Sequence, residues 1–225
     1  MELSIPPAIT SVQVMAAGTG QSLKMGENGD ADLVMTHAPS AEKAFVDAGF
    51  GIEPVHLMYN DFVIVGPGAD PAAVKGAADA TSAFARIAGK GAVFISRADK
   101  SGTHAAEMRF WKAAAIDPIG QGWYKEAGTG MGPTLNMAAG VDGYTLSDRG
   151  TWANFRNRQN LAILHAGDPK LFNPYGAILV SPDKHPHVKK AAAERFIDWL
   201  TSDAGRDAIA AYRIGGEQLF FPSKR

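Results

Sequence analysis

The side chains of this sequence that could do chemistry are gathered in short, polar, glycine-bearing stretches. The richest is Arg97-Ala98-Asp99-Lys100-Ser101-Gly102-Thr103-His104. A forked guanidinium, two hydroxyls and a glycine that admits close backbone approach form a donor set suited to gripping a small oxyanion. Gly18-Thr19-Gly20, Gly128-Thr129-Gly130 and Ser147-Asp148-Arg149-Gly150 repeat the theme on a smaller scale. Each stretch leads into a segment of helical spacing, where unpaired N–H groups and the positive end of the helix dipole attract anions. Thr19, Arg97, Ser101, Gly102, Thr103, Thr129 and Ser147 are therefore candidate ligand-binding residues.

Plainer roles exist for the same residues. Ser101 or Thr103 could simply cap the following helix while Arg97 pairs with Asp99. Thr19 could belong to an ordinary turn, and Asp148 and Arg149 could pair with each other. Ser101 and His104 invite a nucleophile–base reading, but no G-x-S-x-G elbow accompanies them. His185-Pro186-His187 resembles half a metal site, with no third ligand nearby in sequence.

The elements needed to position these loops are written in the hydrophobic pattern. Short β-branched runs alternate with helical stripes, which is the α/β signature. Strands are expected at 12–16, 31–36, 56–65, 92–96, 144–146, 161–164 and 177–180. Helices are expected at 21–25, at 40–48 with Ser40 as cap, and after Asp70-Pro71, where Ala80, Ala83, Phe84, Ile87 and Ala88 share a stripe. Further helices follow residues 104, 134 and 150, and a helical tail carries Val188, Phe196, Trp199 and Leu200 before Ser202 or Asp203 caps a last helix. Trp111, Trp123, Trp152 and Trp199 read as core residues. The long runs at 56–65 and 177–180 could carry the chain out of one lobe and back, making the first lobe discontinuous: 1–66 plus 176–225, with 67–175 as the second.

Composition narrows the function classes. The 225 residues carry 22 Lys plus Arg against 23 Asp plus Glu, a formal net charge of -1. With no broad basic field, nucleic acid and anionic membranes are not expected partners, and any anion must be held locally. The absence of cysteine removes thiolate metal sites, thiol nucleophiles and disulfides. No apolar run reaches the roughly 18 residues of a membrane-spanning helix, and no signal peptide is visible in the chain.

Several long segments carry a family resemblance: VQVMAAGTGQSLKMGENGDADLVMTHAPSAEKAFVDAGFG at 12–51, MYNDFVIVGP at 58–67 and FISRADKSGTH at 94–104. WYKEAGTGMGPTLNMA at 123–138, YTLSDRGTW at 144–152, GDPKLFNPYGAILV at 167–180 and FIDWLTSDAGRDAIAAYRIGGEQLFFP at 196–222 extend it. The chain resembles the tungstate-binding proteins of ABC uptake transporters. That resemblance implies an α/β, two-lobed type II periplasmic-binding-protein fold, its lobes joined by two crossing strands and closing on a tetrahedral dianion, tungstate or molybdate. It implies no cofactor, a permease and ATPase as partners, no enzymatic activity, and a periplasmic or extracellular location. It also implies contacts from Thr19, Arg97, Ser101 and Thr103, with Ser147 and the Thr129–Gly132 loop as further candidates. A sensory module of the same fold for an oxyanion or small organic anion is the alternative.

The family opens with a strand ending in a Thr-Thr-Thr-Ser-like run whose hydroxyls complete the site. A strand and helix ahead of Val12 would take about 30 residues, against the eleven present. The expectation is a start that lies elsewhere, a shortened strand at Leu3–Ile5, or a strand supplied by another chain; without such exchange the protein should be a monomer.

Overall fold

A computed structural model describes residues 11–223, so the strand expected at Leu3–Ile5 lies outside the described residues. The alternation of strand and helix builds two units. One ends at Tyr59 and resumes at Pro174, and the other is Asn60–Asn173. The chain passes from the first to the second inside the long strand β2 (Val55–Pro67) and returns inside β7 (Phe172–Leu179). Phe62, Val63, Ile64 and Val65 of β2 are all buried, which accounts for an apolar run without alternation.

The first unit holds α1 (Thr19–Asn28), β1 (Leu33–Thr36), α2 (Pro39–Asp47), α7 (Lys190–Thr201) and α8 (Asp203–Ala211). β1 runs antiparallel to β7, with Leu33 opposite Leu179 and Thr36 opposite Gly176. The short strands β8 (Arg213–Ile214) and β9 (Glu217–Gln218) pair across Gly215-Gly216, both at positive φ, and β10 (Phe221–Pro222) adds to β2. Leu23, Val34, Phe45, Ile178, Val180, Ile197 and Leu200 fill the core, each worth about 1.5–3 kcal/mol over its exposed state.

The second unit holds α3 (Ala80–Lys90), β3 (Phe94–Ser96), α4 (Gly102–Ala113), β4 (Tyr124–Glu126), α5 (Met131–Gly140), β5 (Thr145–Asp148), α6 (Arg149–Asn154) and β6 (Leu161–His165). β5 and β6 lie antiparallel on β2. β3 is parallel to β4 and bridges, also in parallel, to Tyr144 at the head of β5. β3, β4 and β5 therefore point the same way, and their carboxyl ends, Ser96, Glu126 and Asp148, release the three candidate loops on one side. An aromatic core of Phe84, Phe94, Phe110, Trp111 and Tyr124 fixes α3 and α4 against these strands. Its rings meet in edge-to-face and stacked pairs, Phe84 and Trp111 at 4.5 Å and 76° and Phe94 and Tyr124 at 6.1 Å and 8°, arrangements compatible with the ring quadrupole.

Three local expectations are corrected. Residues 12–16 form no strand: Val14 and Met15 are 84% and 64% exposed, and no described strand pairs with them. A β-prone sequence without a neighbour has nowhere to place its N–H and C=O groups except in water. Asp70-Pro71 starts no helix, because Asp70 sits at φ 47 and its carboxylate accepts the N–H groups of Val74 and Lys75; α3 begins nine residues beyond Pro71, capped by Asp79. Ser40 does not cap α2, whose N-cap is Ala38 with Pro39 at the first helical position. The buried Glu42 reaches back instead, accepting from the Thr36 hydroxyl and the Ala38 N–H at 2.9 Å each.

Candidate functional site

The loop after β3 is a bent, internally braced structure. Ala98 and Lys100 adopt left-handed backbone conformations, φ 48 and 59, which cost a non-glycine residue of order 1 kcal/mol each. Side chains hold the bend: the Ala98 N–H donates to Ser96 Oγ, the Ser101 N–H to Asp99 Oδ1, and the Lys100 N–H to His104 Nδ1, all at 3.1 Å.

Within this loop Arg97 does pair with Asp99. Its Nε and Nη2 donate to Asp99 Oδ2 at 3.2 and 2.5 Å, and Nη1 donates to Thr103 Oγ1 at 3.3 Å. Burial alone would raise the Asp99 carboxyl, but hydrogen bonds from Ser101 and Arg97, with the guanidinium charge, hold it below the ordinary value. The pair is thus a fixed splint. Three of the five guanidinium N–H donors are used and two remain to be offered elsewhere.

Ser101 caps α4, its Oγ accepting from the His104 N–H at 3.3 Å. Capping uses a lone pair and leaves the hydroxyl hydrogen to donate, so cap and ligand contact are compatible. The same holds for Thr103, whose Oγ1 accepts from Arg97. Ser101, Gly102 and Thr103 are all buried at the first turn of α4, where N–H groups have no intrahelical partner. His104 is not placed as a base for Ser101: its Nδ1 is occupied as an acceptor, and burial pushes its pKa down.

The loop after β4 lies against the first. The Ala127 N–H donates to Ser96 O at 2.9 Å and the Thr129 N–H to Arg97 O at 3.1 Å. Gly130, the N-cap of α5, has no side chain to cap the first turn, so the Met131 and Gly132 N–H groups are open to a ligand. Near the end of β5, Ser147 is buried and its hydroxyl donates to Asp148 O at 3.0 Å. Asp148 caps α6 through Thr151, and Arg149 binds Asp61 with two 2.6 Å contacts. The two neighbours therefore do not pair with each other.

Thr19, in the other unit, opens α1. It is 5% exposed, and its Oγ1 has no hydrogen-bond partner among the described residues. Gly18 provides no side-chain cap for the first turn of α1. A buried hydroxyl without a partner costs of order 1–3 kcal/mol, a cost that a ligand oxygen would remove.

His185 and His187 point their Nε2 atoms at the backbone carbonyls of Glu27 and Gly29. The sequence reading overlooked Ser96 and Glu107, which lie directly behind the Arg97 loop. Glu107 Oε2 accepts from Ser96 Oγ at 2.8 Å, and Oε1 accepts from Tyr124 Oη and Trp111 Nε1 at 2.7 and 3.1 Å. The available signal was a carboxylate on the helix stripe shared by Thr103, Ala106, Phe110 and Trp111.

Parallel strands whose carboxyl ends feed uncapped or hydroxyl-capped helices, in a chain that passes twice between two units, define an α/β ligand-binding protein of the type II periplasmic-binding class. Residues 5–204 match the PBP superfamily domain. The chain is 40% identical to the tungstate-binding protein TupA of Peptoclostridium acidaminophilum, covering 94% of this chain and 75% of that protein. It is 43% identical to a Haloferax volcanii protein provisionally named an ABC transporter anion-binding protein, covering 94% of this chain but only 63% of that relative's length. The solved structure of TupA from Desulfovibrio alaskensis G20 superposes with a TM-score of 0.81 at 48% identity, over 94% of this chain and 86% of that one. The chain belongs to the PBP superfamily and, within it, to the TupA family. Among the described residues no helix is long and apolar enough to cross a membrane.

Proposed function

We propose that this chain is a non-enzymatic receptor for a tetrahedral oxyanion, tungstate foremost and molybdate next, which it delivers to an ABC permease and ATPase in the periplasm or outside the cell. The observation that carries the reading is the splinted Arg97 beside the buried hydroxyls of Ser101 and Thr103 at the start of α4. It supplies one fixed positive group and several neutral donors, and a small dianion stripped of water needs both. Thr129 with the first turn of α5, and the buried Thr19 hydroxyl with the first turn of α1, are proposed as further ligand-binding groups. Ser147, which spends its hydrogen on Asp148 O, would have to rotate to join them. The two compact units correspond in this reading to lobes of 1–66 plus 176–225 and 67–175. The names of the TupA relatives support tungstate as the ligand. The anion acts by population shift, stabilising the conformer in which most of these donors reach it.

Calorimetric titration of the ligand-stripped protein with tungstate, using molybdate and sulfate as competitors, tests the proposal. One-to-one binding that sulfate fails to displace is expected. A folded protein that binds no tungstate refutes it.

A further inference from the structure

Glu107 is the buried carboxyl that an anion receptor would be expected to avoid. It lies on α4 four residues after Thr103 on the same face, about 6 Å along the helix axis, and is 2% exposed. Among the described residues no cation pairs with it. Its partners are the neutral donors Ser96, Tyr124 and Trp111, and through Ser96 it reaches the Ala98 N–H at the first left-handed residue of the Arg97 loop.

We propose that Glu107 is a positioning residue that couples oxyanion binding to proton uptake: its carboxyl braces the Arg97 loop through Ser96, and it gains a proton as the anion settles at the start of α4. The inference rests on the proposed anion site. Burial pushes the Glu107 carboxyl up to about 7 despite hydrogen bonds from Tyr124, Ser96 and Trp111, and the charge of Glu126 at the end of β4 adds to the rise. The loop after β3 contributes the mutually paired Arg97 and Asp99, and α4 itself contributes His104. Burial and the Glu107 charge keep the Tyr124 phenol protonated, so it remains a donor. An arriving dianion raises the Glu107 pKa further, because like charges disfavour ionisation in a poorly screened site. Binding and protonation are then reciprocal: each favours the other by the same factor. The brace survives the change, since a protonated Oε2 can donate to Ser96 Oγ where before it accepted.

The test is calorimetric titration with tungstate from pH 6 to 8 in buffers of differing ionisation enthalpy, on the parent and on Glu107→Gln, Glu107→Ala and His104→Gln. The parent should take up roughly 0.3–0.5 proton per anion at pH 7, and its affinity should weaken by up to about tenfold per pH unit above that. Glu107→Gln mimics the protonated carboxyl, so it should bind at least as tightly as the parent at pH 8, with no uptake and a flat pH profile. Glu107→Ala loses the brace and should bind more weakly at every pH, a split that simple support of the core does not predict. His104→Gln should retain the uptake. Tungstate binding by the parent without proton uptake, or uptake that disappears in His104→Gln and persists in Glu107→Gln, overturns the coupling while leaving the proposed function standing. No tungstate binding by the folded parent refutes both. The parent's buffer dependence decides the question even if a variant fails to fold.

Discussion

Replacing Arg97 by alanine is the sharpest challenge to the proposed site, and its size can be worked from the hydrogen bonds. Three guanidinium donors are committed to Asp99 and Thr103, leaving two for an anion. Charge-assisted hydrogen bonds contribute about 1.5–3 kcal/mol each, so their loss amounts to about 3–6 kcal/mol, or a factor of about 10²–10⁴ in dissociation constant. The change also strips Asp99 of its partner and leaves a carboxylate facing the incoming dianion. Arg97→Ala/Asp99→Asn should therefore bind tungstate better than Arg97→Ala alone, by about tenfold. Arg97→Lys keeps a positive point charge but not the planar fork onto Asp99, and should fall between parent and alanine. Titration calorimetry on the three variants, with thermal unfolding to confirm folding, gives the ordering. Affinity of Arg97→Ala within about threefold of the parent, below the loss of even one such bond, would remove the guanidinium from the site, and a double variant weaker than the single one would refute the splint argument.

Thr19→Val replaces a buried, unpartnered hydroxyl by a methyl group of the same shape. Thermal stability should be unchanged or raised by up to about 1 kcal/mol while tungstate affinity falls about tenfold, and a loss of stability with unchanged affinity would point to a purely structural residue. Glu107→Gln should alter the pH dependence of folding as well as of binding. The Glu107 carboxyl titrates near 7 when folded and near 4.5 when unfolded, so the parent is fully stable with respect to this group below 4.5 and loses up to about 3 kcal/mol as pH rises from 4.5 to 7. Denaturant unfolding at pH 4.5 and 7.5 should show the variant gaining on the parent by that order, and a constant difference would contradict the raised pKa. Gly205→Ala would set a Cβ 2.1 Å from Trp199 O and 2.7 Å from Leu200 Cα at the junction of α7 and α8. Because both obstacles are backbone, a loss of about 2–4 kcal/mol is expected by chemical denaturation, and a neutral result would show that the junction can open.

The sequence by itself determined the alternation of strands and helices, because burial of one helical stripe or one strand face imposes a period that can be read locally. It also pointed to these loops as candidates for anion binding, since glycine, hydroxyl and guanidinium groups ahead of a helix supply oriented donors, while the same residues serve equally as helix caps and ion pairs. The segment 12–16 shows the limit of that reading. Its β-branched pattern is that of a strand, yet a strand exists only through a neighbour's hydrogen bonds, which local sequence does not contain. Asp70-Pro71 and Ser40 failed for a related reason: their cap signals were real, but Asp70 closed a turn of its own and Glu42 satisfied the start of α2 from within the helix. Only the tertiary structure decided that β3, β4 and β5 run parallel, bringing loops some 20 to 50 residues apart to one edge. It alone showed Arg97 clamped by Asp99 rather than loose, and the Thr19 hydroxyl buried without a partner among the described residues. The role of Glu107 is the clearest case. In sequence it is one carboxylate on a helix, and its unusual proton affinity arises from the exclusion of water by packing, against the opposing pull of three hydrogen-bond donors.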